Sequence, residues 1–553
     1  MAWLTVLFVI PLLLAAALIA DTSVRLLRNY LAARTIGAPI RFIPISPLNP
    51  FWVLLDRKVL TILRRLPFGD NSFTRYNWRG WEVEDRYRSH HEMGDIWVLV
   101  TPFKNWVYIN DPEALMSVFR RGTEFPRPVF VSEVLNVFGP NIATAEGQQW
   151  KTQRRIATRA FNEQNNEIVW SEAITLANDM LRYWTSKAAI KSSADDLRTL
   201  SLHILSRAGF GKSFPFEGHD ERQSTVSPSS NYKESLQTIL ENCVLILAFG
   251  TKFIANPWLP RKFRLVHEAW VSFRAYMTNL YEEEKRAFAE GKVTDHNLMT
   301  SLVRASQDEE AKSSGGLTES EIYGNMFAFN FAGHDTTATT FTFSIYFLAA
   351  NPAVQDWVSE EVKAVLGDRE PHEWDYRADF PRLKRCLSIL LETMRLYVPV
   401  PTIKWTDSKA QPVTVGGKTY VLPPHHMVAP SYGAVQTDPR YWGADSLEWK
   451  PSRWIKAAAP GEEELDLHVR GAFIGWSEGT RDCPGRKFSQ VEFVATMAVL
   501  FRHWRVDPVK LNGESIDAAR KRVVDLIKND SGAVLLLQML HPERAPLVWR
   551  KEE

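Results

Sequence analysis

Cys483 lies in the stretch Trp476-Ser-Glu-Gly-Thr-Arg-Asp-Cys-Pro-Gly485, whose residue types suit the presentation of a sulfur to a metal. Gly479 and Gly485 let the backbone turn tightly and approach a flat ligand with no Cβ in the way. Pro484 removes one backbone N–H beside the sulfur, leaving the other amides to point at it. From Arg486 to Leu500 the chain reads as an apolar helix. Cys483 therefore falls just ahead of a helix N-terminus, where the dipole favours a thiolate. A thiolate so held can ligate haem iron and push electron density onto it, which favours O–O cleavage. The competing reading is a buried structural cysteine in an ordinary loop.

The loop resembles the haem-binding loop of cytochromes P-450, Phe-x-x-Gly-x-Arg-x-Cys-x-Gly. Gly479, Arg481, Cys483 and Gly485 match, and Trp476 stands where the family has Phe. A larger aromatic there can still pack beneath the porphyrin.

Upstream, Thr318-Glu-Ser-Glu321 is a capping box that opens a long helix, and Asn351-Pro352 closes it. Glu319 to Ala350 spans about 48 Å at about 1.5 Å per residue. Its apolar residues lie on nearly all sides, so the spacing predicts a helix through the core. Such a helix has little reason to carry Ala332-Gly-His-Asp-Thr-Thr337. Gly333 is expected to open a groove, with the Asp335 carboxylate and the Thr336 hydroxyl beside it. This stretch resembles the family's oxygen-activating centre. A hydroxyl can hold the water that delivers protons to iron-bound dioxygen, and an acid can resupply it. The alternative is two threonines bonded back to i−4 carbonyls, with Asp335 merely paired. His334 fills a position the family varies, and is read as a packed or hydrogen-bonded residue and not a metal ligand.

Glu392-Thr-Met-Arg395 lies on a helix expected from near Pro381 to before Pro399, with its carboxylate and guanidinium on one face. The apolar flanks argue burial, and a buried pair needs further partners. Pro451-Ser-Arg453-Trp454 sits where the family has Pro-Glu-Arg-Phe. Glu392, Arg395 and Arg453 resemble its structural triad, with Ser452 and Trp454 as departures. Trp150-Lys-Thr-Gln-Arg154 fits the family's Trp-x-x-x-Arg, whose side chains reach a haem propionate. By the same resemblance Arg481 serves the other propionate and Lys404 assists, although a lysine near a strand more often faces solvent. Lys151, Arg155 and Arg159 recur at i, i+4 and i+8. They form either a solvated face or, with Arg486 and Lys487, a docking surface for an acidic reductase.

The chain has 553 residues, 45% of them apolar, and a formal net charge of +2. That is ample for a large core and gives no case for nucleic acid binding. Three cysteines (Cys243, Cys386 and Cys483) without Cys-x-x-Cys exclude a disulfide framework and a zinc site, and suit a reducing compartment. Trp3 to Ala20 is an apolar run without charge, near the lower limit for crossing a bilayer, and Arg25, Arg28 and Arg34 follow it. The positive-inside rule places the rest of the chain in the cytoplasm, so a single-pass anchor in the endoplasmic reticulum membrane is expected. A cleaved signal is the competing reading, opposed by the missing basic n-region and the unpaired cysteines. The proline-punctuated segment from Phe42 to Leu55 suits either the membrane interface or packing on the catalytic domain.

The expected architecture is mainly α with small β-sheets, the cytochrome P-450 fold behind an N-terminal transmembrane helix. It divides into an anchor at 1–22, a membrane-proximal linker at 23–68 and a catalytic domain at 69–553. Strands are expected at 97–100, 106–109, 413–415, 427–430 and 533–538, and surface loops at 217–231 and 306–316. By resemblance, Ser235–Phe263 contains lid helices that dip into the membrane, and 126–136, 398–403 and 530–534 are pocket walls. The details resemble microsomal fungal members that tailor secondary metabolites.

The resemblance implies monooxygenation of a lipophilic small molecule. Electrons come from NADPH through a separate reductase, since the chain has no flavin-binding motif. Two other classes stay open. One is a reductase-independent haem-thiolate peroxygenase or isomerase, which the Asp335-Thr336 pair opposes. The other is a non-catalytic membrane protein binding haem or a sterol.

Overall fold

The computed structural model describes residues 2–219, 232–292, 297–307, 316–459, 462–467 and 470–552. Of the loops expected at 217–231 and 306–316, residues 220–231 and 308–315 therefore lie outside the described residues. The chain forms two compact units. One takes Met1–Pro128, Arg395–Glu448 and Leu467–Cys483; the other takes Val129–Met394, Trp449–Asp466 and Pro484–Glu553.

In the first unit, helix α1 runs unbroken from Ala2 to Arg34, so the boundary expected at 22 falls inside a helix. Its last turns belong to the folded body. Ala33 and Ile36 are buried in an apolar cluster with Val98, Val107, Ile109 and Val428. Asn29 Nδ2 donates to the Thr101 carbonyl at 2.8 Å, and Asn105 Nδ2 donates to the Asn29 carbonyl at 2.7 Å. Between Ile10 and Ile19 the large apolar side chains are exposed. Among the described residues, no helix is long and apolar enough to cross a membrane.

Helix α2, Pro50–Leu63, starts at Asn49, whose side chain accepts from the Phe51 and Trp52 amides. It packs inward through Trp52, Asp56 and Leu60, which recur every four residues. The sheet of this unit has the order β1-β2-β3-β7-β4 (Ile40–Phe42, Ile96–Val100, Trp106–Ile109, Met427–Pro430, Lys404–Trp405). A separate hairpin joins β5, Gln411–Val415, to β6, Lys418–Leu422. Strands β2, β3 and β7 are buried along their whole length, which is why their sequences are continuous apolar runs and do not alternate.

The second unit is helical around α3 (Gly147–Thr158), α4 (Glu163–Thr185), α5 (Ser193–Phe210), α6 (Tyr232–Glu241), α7 (Glu319–Ala350), α8 (Lys384–Leu396) and α9 (Arg486–Phe501). The capping box of α7 forms as expected. The Glu321 amide donates to Thr318 Oγ1 at 3.3 Å, and the Thr318 amide donates to Glu321 Oε2 at 2.8 Å. Phe341 of α7 stacks on Phe493 of α9 at 4.7 Å. Glu492 of α9 is fully buried, near Ser201 of α5.

Helix α8 starts at Lys384, later than its expected start near Pro381, because the residues around that proline form a 3₁₀ turn, Phe380–Arg382. The Arg385 and Cys386 amides then donate to Glu361, which caps the helix from outside. Strands β8 (Ile455–Ala459) and β9 (Glu462–Leu465) form a hairpin, and β10 (Trp504–Pro508) pairs with β13 (Leu547–Lys551). The strand expected at 533–538 is instead a hairpin, half strand and half turn. Ser531–Ala533 (β11) pairs antiparallel with Leu537–Met539 (β12), so Val534 to Leu536 make the reversal despite their strand-like composition.

Candidate active site

Cys483 is exposed, whereas Cys243 and Cys386 are buried; the structural-cysteine reading therefore falls. Its amide donates to the Trp476 carbonyl at 2.9 Å, closing the loop on itself. Trp476 is buried and packs edge-on against Phe473 at 6.0 Å. A 3₁₀ turn, Gly479–Arg481, precedes the cysteine, and Gly485 is the N-cap of α9.

The two loop glycines are needed for different reasons. Gly479 has φ +77°, and a Cβ there would lie 2.3 Å from the Phe119 carbonyl oxygen. The close approach is thus to this chain's own backbone, where a ligand was expected. Gly485 has φ −85°, an angle any residue adopts.

Three cations gather near this loop. Arg127 Nη2 donates to the Arg481 carbonyl at 2.7 Å, and the Trp405 amide of β4 donates to the Pro126 carbonyl at 3.1 Å. That pairing seats Lys404 close to both arginines. Lys404 is buried, contrary to the default for a lysine near a strand, with its Nζ 5.6 Å from the Phe119 ring centre. Burial pushes its pKa down, and the charges of Arg127 and Arg481 push it further, to about 7. No ion pair between Lys404 and a carboxylate occurs among the described residues. Sequence reasoning missed Arg127, because it sits in a loop with no motif of its own.

On α3, Trp150 and Arg154 lie one turn apart and half-buried. Their neighbours fix the helix: Gln149 Nε2 and Gln153 Nε2 donate to Glu321 Oε1 at 2.8 and 3.1 Å. Lys151, Arg155 and Arg159 are exposed, as are Arg486 and Lys487 at the start of α9.

Helix α7 is buried from Glu321 to Ala349 except at four residues: Ala332, Gly333, Asp335 and Thr336. Ala332 alone among these is fully open. The groove expected at Gly333 is filled from one side, because a Cβ there would meet the Leu205 side chain of α5 at 2.9 Å. His334 is buried and donates from Nδ1 to the Asn330 carbonyl at 2.6 Å, while burial lowers its pKa. It is a packed histidine.

Asp335 and Thr336 are adjacent and so point about 100° apart around the helix. Thr336 Oγ1 donates back to the Ala332 carbonyl at 2.7 Å and Thr337 Oγ1 to the Gly333 carbonyl at 3.3 Å, the i−4 bonds of the alternative reading. Asp335 Oδ1 accepts from Arg198 Nε of α5 at 3.0 Å. Arg198 also reaches Asp195 Oδ1 at 3.2 Å and Gln538 Oε1 of β12 at 3.0 Å. This cluster borders a cavity of about 460 Å³ whose wall includes Asp335, Arg198, His334, Lys233, Glu241 and Gln538. Arg198 carries no sequence signal, since it belongs to no motif.

Glu392 is fully buried and accepts from the Lys450 amide at 2.8 Å, Arg453 Nε at 2.9 Å and Trp454 Nε1 at 2.9 Å. Trp454 is therefore a donor to the carboxylate, a role that phenylalanine cannot fill. Arg395 donates to the carbonyls of Gln436, Ser446 and Glu448 at 2.7, 2.6 and 3.1 Å. These contacts are made in the interior and are structural.

The cytochrome P-450 family model matches residues 79–531, and the chain belongs to that family. It is 27% identical to a cytochrome P-450 monooxygenase of Arthrobotrys oligospora, over 93% of this chain and 94% of that protein. It is 29% identical to the phomenoic acid biosynthesis cluster cytochrome P-450 monooxygenase of Leptosphaeria maculans, over 91% and 92%. A monooxygenase of Penicillium rubens is 28% identical over 88% of each chain. The protein is thus an oxidoreductase of the monooxygenase class. Membership implies haem held through a cysteine thiolate, a redox partner and, in general, lipophilic substrates.

The residues fit that cofactor. An iron porphyrin needs a soft sulfur ligand and cations for its two carboxylates. Cys483 offers an exposed thiol, and Arg127 and Arg481 lie close enough to the buried Lys404 to lower its pKa, a basic setting that suits a propionate.

Proposed function

We propose that the protein is a membrane-anchored haem-thiolate monooxygenase that inserts one oxygen atom from O2 into a lipophilic secondary metabolite, with electrons from NADPH through a separate reductase. The observation that carries this reading is the exposed Cys483 thiol on a loop whose Arg481 lies beside Arg127 and the buried Lys404. When bound, haem supplies dioxygen activation and oxygen transfer to carbon.

Each residue of the chain has its part. Cys483 is the thiolate ligand. Trp150, Arg154, Arg481 and Lys404 hold the propionates, and Trp476, Gly479 and Gly485 shape the loop. Thr336, with its proton on the Ala332 carbonyl, keeps its oxygen lone pairs for a water at the opening of α7. Asp335 exchanges protons at its carboxylate oxygens with water of the neighbouring cavity, and Arg198 keeps that carboxylate oriented. The exposed stripe of Lys151, Arg155 and Arg159, with Arg486 and Lys487, suits an acidic reductase surface.

Support for the anchor is the uncharged run from Trp3 to Ala20, followed by Arg25, Arg28 and Arg34. It favours a single pass in the endoplasmic reticulum, with the catalytic domain at residues 69–553 in the cytoplasm. The exposed Leu247, Phe249, Phe253 and Trp258 give the lid region an apolar surface suited to a bilayer. The biosynthetic-cluster relative supports a secondary-metabolite substrate.

The deciding experiment is the reduced, carbon-monoxide-bound absorption spectrum of the wild type beside Cys483→Ser. A strongly red-shifted Soret band, lost in the variant, is expected. Haem retained by the wild type without that band would remove thiolate ligation and the mechanism with it.

A further inference from the structure

Glu321 makes more bonds than a capping residue needs. Its Oε2 accepts from the Thr318 amide at 2.8 Å and from Thr318 Oγ1 at 2.9 Å, which closes the first turn of α7. Its Oε1 serves α3 instead, accepting from Gln149 Nε2 and Gln153 Nε2. Burial pushes its pKa up, but hydrogen bonds from the Thr318 amide and Gln149 outweigh this and hold the carboxyl below its usual range. The acceptor is therefore an anion, and bonds to an ionised group are about twice as strong as neutral ones.

The tie is locked from its other side. Asn325, one turn along α7, donates from Nδ2 to Gln153 Oε1 at 3.1 Å and accepts the Ile142 amide at 3.0 Å. Gln153 and Asn325 are each 1% exposed, so bulk water does not reach these bonds. The loop that leads into α3 lies directly on α7. A Cβ at Gly324 would collide with the Gly139 and Pro140 carbonyls, and one at Gly139 with the Ser320 carbonyl. Backbone contact thus sets where α3 begins, and the two glutamines set how it is turned about its axis.

The turn is what aims the neighbouring side chains. Trp150 and Arg154 each follow a glutamine by one residue, so they stand about 100° further round the same helix. At about 6 Å from the axis, a rotation of about 10° moves a side-chain tip by about 1 Å, enough to spoil a hydrogen bond. We propose that Glu321 is a positioning residue for the haem seat: its carboxylate fixes the rotation of α3, and through it the aim of Trp150 and Arg154 at a propionate. The proposal rests on the reading of those two residues as propionate donors.

The test uses the full chain loaded with haem and reads two quantities, the rate of haem loss to excess apomyoglobin and the reduction potential of the iron. Trp150→Phe with Arg154→Gln probes the propionate reading and should hasten haem loss. Gln149→Leu with Gln153→Leu cuts the tie and spares the capping box, whereas Thr318→Val does the reverse. The tie variant is expected to lose haem at least about tenfold faster, the scale on which outer groups orient the residues that hold a bound metal group. Its potential should fall, because a propionate charge left unpaired disfavours the added electron. Gln149→Leu alone, at an exposed position that folding tolerates, should shift both quantities the same way by less. Thr318→Val should leave both near wild type. Added to the Trp150 and Arg154 changes, the tie changes should do nothing further, since the tie acts through those two side chains.

Unchanged haem loss in the Trp150 and Arg154 variant would overturn the propionate reading itself. A response there, with none in either glutamine variant, would overturn this inference and leave that reading standing. So would a tie effect that persists undiminished in the combined variant, or one matched by Thr318→Val, since either would make Glu321 a support of the fold alone.

Discussion

Glu492 gives the sharpest test of how the core is built. Its side chain is fully buried in α9, and neither carboxyl oxygen makes a hydrogen bond of normal geometry. Burial raises its pKa from 4.5 to about 8; nearby Ser201 offsets this in part, and no charged group contributes. The folded protein thus keeps a proton that the unfolded chain releases above pH 4.5. The contribution of Glu492 to stability is constant below pH 4.5, falls as pH rises from there, and levels off above about pH 8. At about 1.36 kcal/mol per unit, the two and a half units to pH 7 amount to about 3 kcal/mol.

Glu492→Gln keeps the shape and cannot ionise, so its stability relative to wild type should grow steadily across this window. Any loss from the new amide is a constant offset, and the slope carries the argument. Urea unfolding followed by tryptophan fluorescence at half-unit steps from pH 5.5 to 8 measures it. Curves for the two proteins that stay parallel would show that Glu492 is not a neutral acid in the fold, and the reasoning would fail.

Four other outcomes follow from the site. Trp454→Phe removes a hydrogen bond to a buried charge and should cost about 2 kcal/mol in the same unfolding assay, leaving the carbon-monoxide spectrum of the folded fraction intact. Gly479→Ala combines a left-handed backbone with a Cβ against the Phe119 carbonyl, and should cost at least about 2 kcal/mol and lower haem retention on purification. Haem titration of the unloaded protein should weaken about fivefold between pH 7 and pH 8, because Lys404 must take up a proton to meet a carboxylate; Lys404→Arg, always charged, should flatten that profile. Thr336→Ala should retain haem and divert electrons to hydrogen peroxide, lowering product formed per NADPH at least about tenfold; unchanged coupling would remove Thr336 from the proton path.

The parts of the fold legible in the sequence were those whose local signals agree with burial. The capping box at Thr318, the apolar runs of β2, β3 and β7, and the helix after Gly485 state their own conformation. The misread element at 533–538 had a strand-like composition that a local chain reversal overruled. Val534 to Leu536 look like a strand but reverse direction because Ala533 pairs with Leu537. The loop around Cys483 was legible because its chemistry needs residues close together in the chain. Arg127, Arg198 and the donor role of Trp454 were not, since each is defined by a contact partner 60 or more positions away. Gly333 shows the same limit, because only Leu205 reveals what its missing side chain makes room for.

The three-way bonding of Arg198 ties two design problems into one. Its guanidinium is shared between Asp335 on the long helix and Gln538 on the β11–β12 hairpin, a neighbour of the expected pocket wall. A change in that hairpin made to admit a different substrate would shift the guanidinium, and with it the orientation of the Asp335 carboxylate. Substrate scope and electron economy in this enzyme would then be inherited together, so that variants selected for a new substrate would have to be re-tuned at Arg198 before they stopped wasting reductant.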